Sequence, residues 1–456
     1  MSTKKKRSLY YGGVRQAYPE LEPGMNSMSR SVIYGNIIFL SSLDGRSFSS
    51  GKIESGGIDG QMETCLDNIK SSLEDAGSSM DNLVKLFIMV RDYQDCPRIW
   101  KTMFEYYRKN ASSLMEAPPA VTITQVDALT VPEALVAVDS LGVISQDTKG
   151  WETKKTPMIT NGVKQIYPNV EPGMPLLSES VVIGNLIFIS GMAGNNTVTG
   201  KVETNIFEEQ WRIGLDKVRS AMDNAGSSMS NIIKTLHFQT RLDNLLEKGE
   251  DESKSHSPAS DRLWMTELEY FDKFAPYLMD EPPGSTFLKV SSLSDPGLKG
   301  QTEVVGVLSR YMPGWEVKKY PTYLGSRGFP RHMGEIKKYY ANTVKVGNLV
   351  FVSGQTPTDS YTARIESDVF EVQMTVALDN LRMALEETGS ALENIIKTNI
   401  LLPDPKNLPK MREMELEYYK KYAPPLVEEP PASTVIHPLN LASPAMHIEI
   451  EAIAFV

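Results

Sequence analysis

The chain of 456 residues is 41% apolar and 23% charged, a balance that lets it bury cores and argues against long disorder. Lys and Arg number 47 against 57 Asp and Glu, so the net charge is −10, a field that repels nucleic-acid backbones and anionic membrane surfaces. At roughly 150 residues per domain the length points to about three domains, and two cysteines, Cys65 and Cys96, exclude a disulfide framework and a thiolate-only zinc site and fit a reducing cytoplasm.

The first feature in chain order is the basic run Lys4-Lys5-Lys6-Arg7. No apolar stretch follows it, so it reads as a solvated tail and not as a secretory signal. Next comes a strand-like segment, Gly35-Asn36-Ile37-Ile38-Phe39-Leu40-Ser41, bounded by turn residues. Met62, Cys65, Leu66, Ile69 and Leu73 then fall at helical spacing, with Gly77 where a C-cap is expected, which places Cys65 on an apolar stripe. Leu83 to Val90 is strand-like. A second helix carries Glu105-Tyr106-Tyr107, its aromatic pair read as core packing, and two further strands follow Pro118-Pro119.

This series returns twice. Gly35-Asn36 reappears as Gly184-Asn185 and Gly347-Asn348, at offsets of 149 and 163, and Gly77-Ser78 recurs as Gly226-Ser227 and Gly389-Ser390 at the same offsets. The Pro-Pro pairs begin at Pro118, Pro282 and Pro430, 164 and then 148 apart. The exchange of short and long steps places 15 extra residues in the second copy, in the polar stretch near 245–260, an exposed loop where added length costs little. Gly150-Trp151-Glu152 with Lys154-Lys155 is answered by Gly314-Trp315-Glu316 with Lys318-Lys319. These are linkers, each tryptophan docking its linker on a domain, and they divide the chain into 1–150, 151–314 and 315–456. The element order is an α+β pattern with helices on one face of a mixed sheet. Three copies can bury their free sheet faces against one another about a pseudo-threefold axis.

Val344 to Gln355 (VKVGNLVFVSGQ), Gly389-Ser390, Pro430-Pro431 and the final Glu449-Ile450-Glu451-Ala452-Ile453-Ala454 resemble the RidA/YjgF/UK114 family of reactive-intermediate deaminases. The match covers nearly all of the third copy and, more weakly, the other two. The resemblance implies three tandem chorismate-mutase-like domains forming an intramolecular pseudotrimer, sheets facing inward and helices outside, with ligand clefts between adjacent domains. It also implies hydrolysis of 2-imino acids by members in which an arginine directly after Pro-Pro-Ala holds the substrate carboxylate. Here Val121, Ser285 and Ser433 stand at that place. Loss of such a buried bidentate cation costs about 2–5 kcal/mol of carboxylate recognition, so the expected ligand is a small uncharged or aromatic carbonyl, enamine or imine compound.

The resemblance assigns the water-positioning glutamate to Glu449 and Glu303, with Ala137 in the first copy, and the ligand-orienting tyrosine to Tyr340, with Met28 and Leu177 opposite it. Ser433, Thr434, Ser285 and Thr286 are the expected polar contacts, although strand threonines also pack. Arg412 falls where the helix has Trp100 and Trp264, and reads either as a replacement anion holder or as a solvated helix residue. Glu449 and Glu451, two apart on one strand, can serve as a general acid/base pair or as an ion-paired rim. His237, mid-strand, is a candidate cleft residue; His437 and His447 are not. No metal-ligand spacing, Walker A, GxGxxG or GxSxG occurs, so neither a metal nor a cofactor is expected. The expected partner is a small molecule, with no nucleic acid and no membrane. The expected state is a cytoplasmic monomer, with higher assembly left open. Two other readings stand beside the enzymatic one, a non-catalytic binding or interaction protein and a specialised lyase or cyclase. Ribonuclease activity, a label attached to this family, sits poorly with the net charge.

Overall fold

The computed structural model describes residues 4–22, 24–242, 258–321, 340–360 and 362–456, with backbone alone at 258–260. The 15-residue insertion expected near 245–260 thus falls largely outside the described residues. The remaining chain builds one unit three times. In the first, the strands run in the spatial order Lys5–Ser8, Ser29–Tyr34, Ile37–Leu40, Val136–Val143, Leu83–Val90 and Ala120–Gln125, antiparallel except for the last pair. The helices Ile58–Asp75 and Cys96–Asn110 cover one face, and Cys65, Tyr106 and Tyr107 are buried beneath them as the spacing predicts. The second and third units repeat this order.

The repeated Gly-Asn has a local cause. Gly35 takes φ 59°, a turn conformation that favours glycine, and a Cβ there would stand 2.4 Å from the Trp151 ring. Asn36 clamps the end of its unit by donating to Ser145 O at 2.7 Å, as Asn185 donates to Ser309 O at 2.8 Å. Each linker tryptophan docks on such a turn, and the rings of Trp151 and Trp315 meet edge-on at 4.5 Å.

The units join by three equivalent seams. Ser178 N donates to Pro119 O at 2.9 Å, Ala341 N to Pro283 O at 2.8 Å, and Ser29 N to Pro431 O at 3.0 Å, so the third unit returns to the first. The serine that ends the repeated strand motif bridges each seam. Ser190, Ser353 and Ser41 accept from the backbone N–H of Val121, Ser285 and Ser433 at 2.8, 2.9 and 2.9 Å. Twenty strands form one hydrogen-bonded sheet. Its inner face packs Phe39, Phe188 and Phe351 with Val32, Val181 and Val344 into a single apolar cluster drawn from all three units.

The basic run at the start is not a solvated tail. Lys6 lies opposite Val32 in the register that puts Lys155 opposite Val181 and Lys319 opposite Val344, so the run is the first copy of the Lys-Lys linker strand. Each of these lysines reaches back to the preceding unit. Lys155 donates to Leu83 O and Ala117 O at 2.7 and 3.1 Å, Lys319 to Ile232 O and Glu281 O at 3.2 and 2.7 Å, and Lys6 to Glu429 O. Burial pulls all three ammonium groups down to about 7.

Candidate functional site

Each seam sets a strand after the Pro-Pro pair against the next unit, and the three resulting clefts differ. Between units one and two, Val121, Leu177 and Trp100 belong to one packed apolar cluster. Between units three and one, Ser433 meets Arg412, which is 1% exposed and therefore not a solvated helix residue. Arg412 donates to Glu415 at 2.6 Å, to Asn26, and to Ser433 at 3.4 Å, while Tyr18 also donates to Glu415. Side chains fill that cleft and leave no room for water.

The cleft between units two and three is open, with about 30 Å³ free, room for one or two waters. Ser285 and Phe287 come from the second unit's strand, Trp264 from its helix, and Tyr340, Gly354, Met446 and Glu449 from the third unit. Of the expected site residues, Glu449, Tyr340 and Ser285 therefore share one cleft. Ser433 and Arg412 belong to another, a seam away, and cannot serve the same ligand.

Glu449 is 3% exposed. The Phe287 backbone N–H hydrogen-bonds its carboxylate, and Oε2 has no hydrogen-bond partner among the described residues. Burial pushes the carboxyl up to about 8; Glu451 adds to the rise and Lys234 opposes it. Glu451, two residues on, is held below the usual carboxylate range: burial alone would raise it, but Lys234, Thr286 and Asn399 bind it and prevail. Environment thus separates the two carboxyls into a neutral acid and a fixed anion. Gly354 makes the approach possible, since a Cβ there would stand 1.7 Å from Glu449 Oε1.

Strand register corrects the reading of Glu303. Glu303 lies opposite Leu236 and Glu451 opposite Asn399, and Leu236 and Asn399 are both two residues after the unit's buried strand lysine. Glu303 is thus the counterpart of Glu451 and Asp139, and Gln301 is the counterpart of Glu449. Gln301 confirms this by its setting, for a Cβ on Gly191 would stand 2.4 Å from its Nε2, as one on Gly354 would meet Glu449. Glu303, Glu451 and Asp139 face a central cavity of about 80 Å³ and alternate with Lys85, Lys234 and Lys397. Every ion pair there crosses a seam: Lys85 to Glu303, Lys234 to Glu451 at 2.8 Å, and Lys397 to Asp139 at 2.8 Å. The recurrent threonines complete this ring and do not face a cleft. Thr122 donates to Glu303 at 2.6 Å, Thr286 to Glu451 at 2.5 Å, and Thr434 to Asp139.

His237 lies under the helices of the second unit, completely buried, beside the cleft rather than in it. His437 is also buried, its Nδ1 2.7 Å from Leu402 O, and desolvation lowers its pKa. Among the described residues no group of three His, Cys, Asp or Glu side chains is placed to hold a metal, and no helix is long and apolar enough to cross a membrane.

The profile of the family described as Endoribonuclease L-PSP matches residues 21–144, 173–258 and 332–456. The chain belongs to this family. A RutC family protein of Pyrococcus abyssi is 33% identical over 116 residues, covering 25% of this chain and 85% of its own length. A RutC family protein of Buchnera aphidicola is 30% identical over 116 residues, again 25% of this chain and 86% of its own. Among solved structures, a chorismatase matches over 82% of this chain and 93% of its own, with a TM-score of 0.51 at 10% identity. That likeness is one of fold, and it extends over most of the ring.

Proposed function

We propose that the cleft between the second and third units binds a small uncharged carbonyl, imine or enamine compound and that Glu449 moves a proton there. The observation carrying this reading is the buried Glu449 carboxyl with an unpartnered oxygen, neutral at pH 7 and facing free volume. A neutral carboxyl donates to a carbonyl oxygen or imine nitrogen and polarises it, and the resulting carboxylate can then take a proton from attacking water. Tyr340 and Trp264 line the cleft with aromatic rings, and Ser285 lines it with a hydroxyl side chain. No Lys or Arg lines this cleft among the described residues, so an anionic substrate meets no counter-charge.

Turnover of acetaldehyde N-methylimine and similarly small imines and enamines tests the proposal, with acetate as the charged control. Glu449→Gln should lower turnover on the order of 100-fold while the neutral ligand still binds and acetate does not. Absence of turnover across a broad imine and enamine panel, together with binding indifferent to Glu449→Gln and Tyr340→Phe, refutes it.

A further inference from the structure

On the second unit's strand Gly284–Lys289, Ser285 and Phe287 face the open cleft, and Thr286 between them turns to the axial ring. Ser285 is buried. Its hydroxyl oxygen accepts from Thr235 Oγ1 on the neighbouring strand at 3.0 Å, a closer contact than the 3.4 Å from Thr235 Oγ1 to Gly284 O. A serine hydroxyl carries one proton and two lone pairs. Thr235 takes up one lone pair, and the proton meets no acceptor among the described residues. A buried donor without an acceptor is costly, so this proton is satisfied from the cleft.

The other two units carry different versions of this pair. Strand register matches Thr235 and Ser285 with Thr398 and Ser433 in the third unit and with Leu86 and Val121 in the first. Thr398 donates to Ser433 at 3.1 Å, Arg412 reaches the same oxygen at 3.4 Å, and side chains fill that cleft. In the first unit both positions are apolar and belong to one packed cluster. Of the three clefts, the open one therefore sets this serine hydroxyl beside free volume. There it meets Glu449 of the third unit, whose Oε2 has no hydrogen-bond partner among the described residues.

We infer that Ser285, its proton turned into the cleft by Thr235, is a second donor to the ligand beside Glu449, and that the two donors select a carbonyl compound over an imine or enamine. A carbonyl oxygen has two lone pairs and accepts from both. An imine nitrogen has one, so it binds through a single donor and leaves the other proton unmet. An enamine nitrogen shares its lone pair with the double bond and accepts poorly. Thr235 does not line the cleft and acts through Ser285, as a positioning residue. The donor role of Glu449 rests on the proposed function; the direction of the Ser285 hydroxyl does not.

Two small neutral probes separate the lone-pair counts: acetone, whose oxygen has two, and acetonitrile, whose nitrogen has one. Their dissociation constants are read from the shift of the Trp264 indole resonance in the full chain labelled with ¹⁵N-tryptophan, the peak being assigned by Trp264→Phe. Ser285→Ala should lower the preference for acetone over acetonitrile on the order of 10-fold. Thr235→Val frees the hydroxyl among its staggered positions and should lower the preference about threefold. A preference that Ser285→Ala leaves unchanged, whether or not both probes weaken, overturns the inference and leaves the proposed role of Glu449 in place. Acetone that causes no saturable shift at Trp264 overturns both. Failure of the imine panel with the preference intact ends the proposed reaction alone.

Discussion

Replacing Glu449 by Gln should stabilise the protein, and by an amount that depends on pH. The carboxyl titrates at 4.5 when unfolded and at about 8 when folded. A raised acid pKa destabilises the fold wherever the unfolded chain ionises and the folded one does not. The cost is absent below pH 4.5, grows by about 1.4 kcal/mol for each pH unit above it, and levels off past pH 8. That amounts to about 3 kcal/mol at pH 7 and about 5 kcal/mol on the alkaline plateau. Gln keeps the shape and the Phe287 contact without the charge. Calorimetric melting of the two proteins side by side should therefore give coincident midpoints near pH 4.5 and a variant that melts progressively higher up to pH 9. A difference that is constant with pH, or a variant less stable at pH 7, would refute the burial argument and remove the neutral acid on which the proposed chemistry depends.

Three further outcomes follow from the packing. Lys397→Met leaves Asp139 buried without its cation and should cost about 3–5 kcal/mol, whereas Lys397→Met with Asp139→Leu should recover most of that loss; urea midpoints of the two variants decide. Gly354→Ala should displace the Glu449 carboxyl and abolish the pH-dependent stability difference between Glu and Gln at 449. Gly191→Ala meets the flexible end of Gln301 and should cost no more than about 1–3 kcal/mol, read from thermal melting.

The repeats made most of the fold readable, because Gly-Asn, Gly-Ser and Pro-Pro mark turns and strand entries whose geometry tolerates few other residues. The leading Lys4-Lys5-Lys6-Arg7 escaped because a strand that is half exposed and pairs at a sheet edge has the composition of a tail; only its register with Lys155 and Lys319 betrays it. Glu303 was misplaced by two residues, since a strand carries its pattern every second position and Gln301 hid the true counterpart of Glu449. The axial lysines were missed although Lys85, Lys234 and Lys397 recur at one place in three apolar strands, the signal that would have found them. Nothing local could tell that Ser285, and not Ser433, shares a cleft with Glu449, because that depends on the order in which units close on one another. Trp264 reads in the sequence only as the place where another helix carries Arg412; that it lines the open cleft depends on how the second and third units meet.

Two seams of the ring are spanned by peptide linkers and the third by none. That untethered seam is the one crossed by the Arg412, Glu415, Tyr18 and Asn26 network, by Arg15 on Glu428 O at 2.8 Å, and by Lys4 over the Phe455 ring at 5.4 Å. Beside the Ser29–Pro431 backbone bond, side chains make this closure, and they occupy the volume in which a ligand would sit. The untethered cleft thus serves as the clasp of the ring, while of the two tethered clefts one stays open and the other is packed with apolar side chains.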